Sequence, residues 1–413
     1  MASTLTSTTR LRLYLLFSAI LLGALADASS GLPSYTTTTD NTSSAVTLPV
    51  DHLEIARLAV DDLLQHFWVG DEVTGHILDT WNGYARPSEF GVLWERAQLL
   101  RVLVNLFGMT GDPVLRQRIA ADWAYTRQRC PRLDQCGRGT SNPQCDDAGW
   151  AMSMYLDVYD CTGDENALTA ARVLFGRTLE RFSDGQMGGG LRYAQESDER
   201  QSYQAAVILA GLRLAAAAKD PTFRDRAMAL YDWTEKYMRR TDGLYWCSYR
   251  GPDPQRTARA PREAASDTFL GGNMCMAVIN AMVYNETKQE IYLQRALDTA
   301  NGILAHETSA SGELLNDRDA WTNAFFAGEW MRNVTTLPGA PSRLRRVVEQ
   351  TALSIWQKAR TEKGLFGACW DGPAEGDGCT WWKQGSKPEQ IMVSSNSVNV
   401  IVAAAEPGRG SSG

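Results

Sequence analysis

Apolar and polar positions along the chain sort into two kinds of helix that take turns. Residues 93–107 (LWERAQLLRVLVNLF) are apolar on most sides, as a helix packed all round must be. The stretch stops at Thr110-Gly111-Asp112, where glycine can take the left-handed cap conformation. Residues 113–127 then carry charge on one face and Leu115, Ile119 and Trp123 on the other. The pair recurs as residues 148–159, a break at Thr162-Gly163-Asp164, and the amphipathic 165–182. A third copy runs 205–218, breaks at Lys219-Asp220-Pro221, and continues with a buried stripe of Phe223, Ala227, Leu230, Thr234 and Tyr237. Residues 273–284 and 290–304 form a fourth, and residues 321–333 with 342–360 suggest a fifth.

The breaks at Gly111, Gly163, Asp220 and Thr287 lie 52, 57 and 67 residues apart. A unit made of one apolar and one half-solvated helix cannot bury its inner face alone, so such units must stack. A further helical stretch at residues 53–68 brings the number to about six hairpins, enough to close an inner ring inside an outer one. The pattern predicts an all-α fold, a single (α/α)6 toroid over residues 49–405. A superhelical solenoid is the alternative arrangement of the same units.

The ends read differently. Arg10 and Arg12 precede an apolar run over residues 13–25, with small residues at Ala24-Leu25-Ala26. Charged, then apolar, then small is the order of a secretory signal peptide, here residues 1–26, and the run is short for a membrane span. Residues 27–48 are rich in Ser and Thr and read as a disordered leader. Residues 406–413 form a polar tail without the apolar end that a lipid anchor needs. No second apolar run of spanning length follows, so the expectation is an exported protein, extracellular or cell-wall associated. Eight cysteines (130, 136, 145, 161, 247, 275, 369, 379) form an even set consistent with disulfides, with Cys369–Cys379 as the favoured local pair. Asn41, Asn285 and Asn333 open glycosylation sequons; Asn142 is followed by Pro and does not.

Composition narrows the chemistry. A net charge of −7 argues against a nucleic-acid partner, which calls for a basic stripe. The four histidines (52, 66, 76, 306) have no metal-site spacing, and no phosphate loop or nucleophile elbow occurs, so neither metal nor cofactor is expected. The strongest positive signal is Asp146-Asp147, at the start of an inner helix directly after the Gly/Pro/Cys-rich stretch 132–145. Two carboxylates at a helical-barrel rim would repel, splitting into one high and one low pKa, the division of labour that glycoside cleavage requires. The competing explanation is ordinary helix capping. Gly188-Gly189-Gly190 could let backbone approach a ligand or could simply make a tight turn. Trp81, Trp246, Trp370, Trp381 and Trp382 fall in loops, where flat rings can stack on sugars.

The order of these features resembles glycoside hydrolase family 76, the endo-α-1,6-mannanases and related fungal cell-wall proteins. The resemblance covers residues 50–405. It rests on Leu93-Trp94-Glu95, on Asp146-Asp147 with Trp150, and on Gly188-Gly189-Gly190 followed by an aromatic. Residues 366–373 (FGACWDGP) complete it. It implies a retaining mechanism in which Asp146 is the nucleophile and Asp147 the general acid/base, on a mannan-type polysaccharide. Substrate contact would fall to Trp81, Trp94, Glu95, Trp150, Tyr193, Gln204, Trp370 and Asp371. Two stretches depart from the family pattern: residues 199–204 (ERQSYQ) stand where a Lys-Asn…Ser-Asn stretch is usual, and residues 269–272 (FLGG) where Tyr-Asn-Gln-Gly is usual. The expectation is a monomeric secreted glycosidase or transglycosylase. A catalytically impaired glycan-binding or wall-scaffold protein on the same barrel is the alternative, and a polysaccharide lyase a weaker one.

Overall fold

The computed structural model describes residues 50–81, 84–85, 93–132, 144–251, 268–316, 322–374 and 387–407. The signal peptide, the leader and residues 408–413 lie outside these, as do Cys136, Cys379, Trp381, Trp382 and the side chain of Trp81.

Helices α1 (His52–Phe67), α2 (Leu93–Thr110), α3 (Pro113–Arg129), α4 (Cys145–Thr162), α5 (Glu165–Phe182), α6 (Gln204–Ala218) and α7 (Pro221–Tyr237) alternate outer and inner from the first. They are followed by α8 (Leu270–Thr287), α9 (Glu290–His306), a broken inner segment made of α10 (Ala327–Glu329) and a π-turn (Trp330–Val334), then α11 (Arg343–Lys358) and α12 (Ile391–Ala404). Among the described residues the inner ring closes on itself: α2 packs on α4, α4 on α6, α6 on α8, α8 on the π-turn, α10 on α12, and α12 back on α2. The fold is an (α/α)6 barrel, not a solenoid. No described helix is long and apolar enough to cross a membrane.

Inner and outer helices meet at short turns, at Gly111 and Gly163 with positive φ and at Lys219 and Lys288 in the left-handed region. Aspartates cap the outer helices α3, α5 and α7: Asp112 accepts from the Val114 N–H, Asp164 from Asn166 and Asp220 from Thr222. Every long connection therefore runs at the opposite end, from an outer helix to the next inner helix. That end is the rim onto which the N-termini of the inner helices open.

The sixth hairpin differs from the expected one. Residues 53–68 contribute only the outer helix α1, and its inner partner is α12, at the far end of the chain. Five buried polar residues of α12 (Ser394, Ser395, Asn396, Ser397, Asn399) mask its inner character in the sequence. Several of them serve the rim loops: Ser394 Oγ accepts the Phe366 N–H at 2.9 Å, Ser397 Oγ donates to the Gly367 carbonyl at 2.9 Å, and Asn396 Oδ1 accepts the Ala324 N–H at 2.7 Å.

A small hairpin also repeats after five outer helices. In each, a glycine stands two residues before an apolar residue whose N–H is taken by a side chain from a later helix. The pairs are Ile77 with Asp122 (2.8 Å), Leu191 with Gln204 (3.0 Å), Tyr245 with Asn273 (2.8 Å), Leu314 with Thr351 (2.8 Å) and Phe366 with Ser394 (2.9 Å). The next residue in each case donates its N–H back to the end of the preceding outer helix, at 2.8–2.9 Å.

Away from the rim, buried charges tie the ring together. Arg101 of α2 pairs with Asp157 of α4 at 3.0 Å and with Glu329 of α10. Asp157 also receives Arg213 of α6 at 2.8 Å. Burial opposes ionisation of Glu329, yet the guanidinium groups of Arg101, Arg332 and Arg213 hold it below the ordinary glutamate range. Arg101→Ala is therefore expected to destabilise the barrel by about 3 kcal/mol, because it removes the one guanidinium that bridges two buried carboxylates and leaves each with a weaker set of partners. Urea unfolding of the variant beside the parent protein reads this out; an unchanged midpoint would show the network to be idle.

Candidate active site

Asp146 and Asp147 occupy the second and third positions of α4, after the cap residue Gln144. Successive helical side chains are about 100° apart around the axis, so the two carboxyls fan out from one backbone turn. The helix start is pinned to the loop that follows α5: the Cys145 N–H donates to the Tyr193 carbonyl at 2.9 Å, and the Tyr193 N–H to Glu199 at 2.8 Å. Gln144 and Ala194 form an isolated β-bridge.

The two acids differ in setting. Asp146 is 8 % exposed and its Oδ1 accepts the N–H of Asp147 at 3.0 Å. Asp147 is half-buried and its carboxyl accepts the N–H of Gln144, the reciprocal bond of a capping box. Capping and chemistry are thus not exclusive here. The pKa of Asp147 is pushed up to about 6, chiefly by burial, with the Glu95 carboxylate adding to the rise and the Gln144 N–H opposing it. Sequence reasoning looked only to repulsion within the pair; burial and Glu95 are what the structure adds.

Glu95 is the third residue of α2, the inner helix beside α4. It is 1 % exposed and accepts a hydrogen bond from Thr80 Oγ1 at 2.7 Å. Thr80 belongs to a two-stranded ribbon, β1 (Thr80–Trp81) with β2 (Tyr84–Ala85). The segment leading into it is anchored by Arg96, which pairs with Asp79 at 2.8 Å and Asp122 at 2.6 Å and donates to the Ile77 carbonyl at 2.7 Å. Trp94 is half-buried against Ala368, Met392 and Val393. Tyr193, also half-buried, has its phenol pKa raised by burial and then by the charges of Asp146 and Asp147, so its ring belongs to the same group. Thr80 was not found from the sequence; the signal available was the Gly75-His76-Ile77 hairpin just before it.

Other expected contacts are turned into the protein. Trp150, 2 % exposed, lies one turn below the dyad, its ring packed against Phe325 (4.8 Å), Phe326 (5.3 Å) and Tyr203 (5.7 Å). Trp370, 1 % exposed, donates its indole N–H to Ser397 Oγ at 3.0 Å. The Gln204 amide accepts from Leu191 and donates to Met238 Sδ. Asp371 is exposed. In the departing stretch 199–204, the buried Arg200 holds Asp184 at 2.8 Å. The glycine run makes a tight turn against α7: a Cβ on Gly190 would stand 2.8 Å from the Trp233 ring, and one on Gly188 would stand 2.9 Å from the Tyr237 hydroxyl. Its glycines are needed for packing on that outer helix, so the ligand-approach reading is corrected. The cysteine expectation is corrected in part: Cys145, Cys161 and Cys275 are free thiols, while Cys130 and Cys369 are disulfide-bonded; Cys379, the partner favoured for Cys369, lies outside the described residues.

A buried carboxyl whose pKa is raised on folding opposes stability progressively as the pH rises from its unfolded to its folded value. For Asp147 the cost is absent below the unfolded carboxyl range and complete above about pH 6. Asp147→Asn is accordingly expected to stabilise the protein by about 2–3 kcal/mol at pH 8 and to have little effect at pH 3.5. Thermal unfolding at the two pH values checks this, and an equal effect at both would contradict it.

The family model of glycosyl hydrolase family 76 matches residues 53–404. No curated protein matches the chain in sequence. The barrel is similar to an inactive variant, with two consecutive aspartates replaced by alanine, of the α-1,6-mannanase GH76A of Salegentibacter sp. HEL1_6, solved in complex with α-1,6-mannotetrose. That match has TM-score 0.67 and 17% identity, and covers 86% of this chain and 99% of the other. A glycoside hydrolase family 76 mannosidase from Bacteroides thetaiotaomicron VPI-5482 superposes with TM-score 0.66 at 14% identity, over 86% and 97% of the two chains. An unsaturated glucuronyl hydrolase specific for heparin shares the fold at TM-score 0.61 and 14% identity, over 86% and 96%. With its family model spanning nearly all of the barrel, the chain belongs to glycosyl hydrolase family 76 and is a glycoside hydrolase.

Proposed function

We propose that the protein cleaves α-1,6-linked mannan-type polysaccharide with retention of configuration, by hydrolysis or by transfer to a second sugar. The observation that carries this reading is the pair of successive aspartates at the barrel rim, one of them with its pKa raised to about 6. A general acid must hold its proton at working pH and release it to the leaving oxygen, and Asp147 meets that condition in mildly acidic medium. Asp146, at the same helix N-terminus where the dipole favours an anion, is suited to attack the anomeric carbon and form a glycosyl ester. Asp147, now deprotonated, would activate the water or acceptor hydroxyl that releases the ester. The two consecutive aspartates replaced in the inactive Salegentibacter mannanase, and the α-1,6-mannotetrose that variant binds, support both the dyad and the sugar.

Tyr193, Trp94 and Glu95 are proposed to line the cleavage site, with Trp81 as a further contact from the adjoining ribbon. The proposed setting is extracellular or cell-wall associated, supported by the signal-like order of residues 1–26, with the protein acting as a glycosylated monomer. A second reading is favoured by one observation: Arg200 and Gln204, in the departing stretch, spend their polar groups on the scaffold. The barrel would then bind glycans without turning them over.

Incubation with α-1,6-mannooligosaccharides separates the two. Turnover is expected, with product of retained anomeric configuration by proton NMR. Asp147→Asn is expected to lower kcat/KM by about 10²–10⁴-fold, and Asp146→Asn to lose the glycosyl-enzyme ester altogether. Equal turnover by all three proteins would refute the dyad, whereas binding without any product would favour the non-catalytic reading. The rate should also fall as pH rises through about 6, where Asp147 gives up its proton.

A further inference from the structure

The first amide of α4 finds its partner outside the helix. Gln144 caps α4 without a side-chain bond to it, and the Cys145 N–H donates instead to the Tyr193 carbonyl at 2.9 Å. Gln144 and Ala194 pair as a β-bridge beside that bond. Where residues 193–194 lie therefore decides where the turn bearing Asp146 and Asp147 begins. Three bonds hold the segment that leads there. The Leu191 N–H donates to Gln204 Oε1 at 3.0 Å, the Arg192 N–H to the Phe182 carbonyl at 2.9 Å, and the Tyr193 N–H to the Glu199 carbonyl at 2.8 Å. Of the three, the first alone is made by a side chain.

Gln204 and Leu191 are both fully buried. Gln204 opens α6, the inner helix packed beside α4. Its Nε2 donates to Met238 Sδ at 3.5 Å, which turns Oε1 toward Leu191. The chain just before Leu191 is also fixed, since Trp233 of α7 donates its indole N–H to the Met187 carbonyl at 2.9 Å. We propose that Gln204 is a positioning residue of the reaction: through Leu191 and the Tyr193 carbonyl it sets the start of α4, and with it the direction in which the two aspartates meet the sugar. This rests on the reading of Asp146 and Asp147 as the catalytic pair. It gives the departing stretch 199–204 a task, because Gln204 by its side chain and Glu199 by its carbonyl hold the two ends of residues 191–193. An error of about 1 Å in the placing of a reacting group costs on the order of a hundredfold in rate, so a contact that never touches substrate can govern kcat.

The test combines hydrogen exchange at single amides of the full chain, followed by NMR, with kinetics on α-1,6-mannooligosaccharides. In the parent protein the Leu191 and Cys145 amides are expected to open together, with one dependence on urea, as members of a single unit. Gln204→Leu keeps the bulk and removes the acceptor. It is expected to speed exchange at Cys145 by on the order of tenfold, and to lower kcat by about 10–10²-fold with KM unchanged. Thr351→Val removes the corresponding acceptor from the Leu314 amide, which it holds at 2.8 Å, and is expected to leave both Cys145 exchange and kcat as in the parent. Independent opening of Leu191 and Cys145 overturns the proposal, and so does an equal loss of kcat in Thr351→Val, which would mark general loosening of the barrel. A raised KM with kcat intact in Gln204→Leu also overturns it. Should Gln204→Leu fail to fold, Gln204→Asn shortens the arm by one methylene; a lowered kcat at constant KM supports the proposal and a parental kcat overturns it. Coupled exchange in a protein that cleaves no glycan leaves the mechanical link intact and refutes the proposed function. An active glycosidase whose kcat is unmoved in folded Gln204→Leu does the reverse.

Discussion

A buried backbone N–H must find an acceptor, and the rim of this barrel is organised around meeting that demand five times. Five of the outer helices end in a glycine hairpin that returns the chain toward the ring, and the apolar residue after the turn is buried with its amide. Asp122, Gln204, Asn273, Thr351 and Ser394 supply the acceptors. Loss of one acceptor from a buried amide costs about 1–3 kcal/mol, so these contacts are what keep the long connections from drifting. They also set where each connection leaves the hairpin. Thr80 and Tyr193 both follow such an anchor by two or three residues, and both border the acids.

The rim and the interior handle charge in opposite ways. In the interior, Arg101 and Arg213 compensate Asp157 and Glu329, and the closed ring is stitched by opposite signs. At the rim, Glu95, Asp146 and Asp147 gather where inner-helix N-termini open. The helix ends favour the ionised forms, yet burial overrides them at Asp147. Such an arrangement opposes stability and raises the pKa of one carboxyl. Neighbouring residues of a single helix turn provide two orientations without any added element, so the proposed acid chemistry and the capping geometry would share the same two side chains.

Much of the barrel was legible in the alternation of apolar and amphipathic helices, because an inner helix has almost no polar face. The reasoning failed where that rule fails. Helix α12 is an inner helix rich in Ser and Asn, and those residues are polar because they hold the loops at Phe366, Gly367 and Ala324. The place of Asp146-Asp147 at the start of an inner helix was legible, but Trp150 and Trp370 looked like sugar platforms only because sequence cannot tell a ring packed on Phe325 from one facing a groove. The glycine run misled in the same manner: glycine signals close approach, and the close partner was Trp233. Glu95 was named from the resemblance, but its effect on Asp147 needed the third dimension, since the two stand on different helices.

The stretches that depart from the usual family pattern can be understood in these terms. Within residues 199–204, β3 (Arg200–Gln201) pairs with β4 (Ser248–Tyr249) in a short ladder, and Glu199 just before it accepts the N–H of Tyr193. Arg200 clamps the turn at Asp184, and Gln204 holds Leu191 at the end of the glycine run. Polar groups at these positions point inward and hold the wall beside the two aspartates. In the proposed function subsite affinity would depend on what faces the groove and proton handling on Asp146 and Asp147, which the departures leave in place. The neighbouring fold of a heparin-specific glucuronyl hydrolase makes the same point from outside the family, since the barrel alone does not choose the sugar.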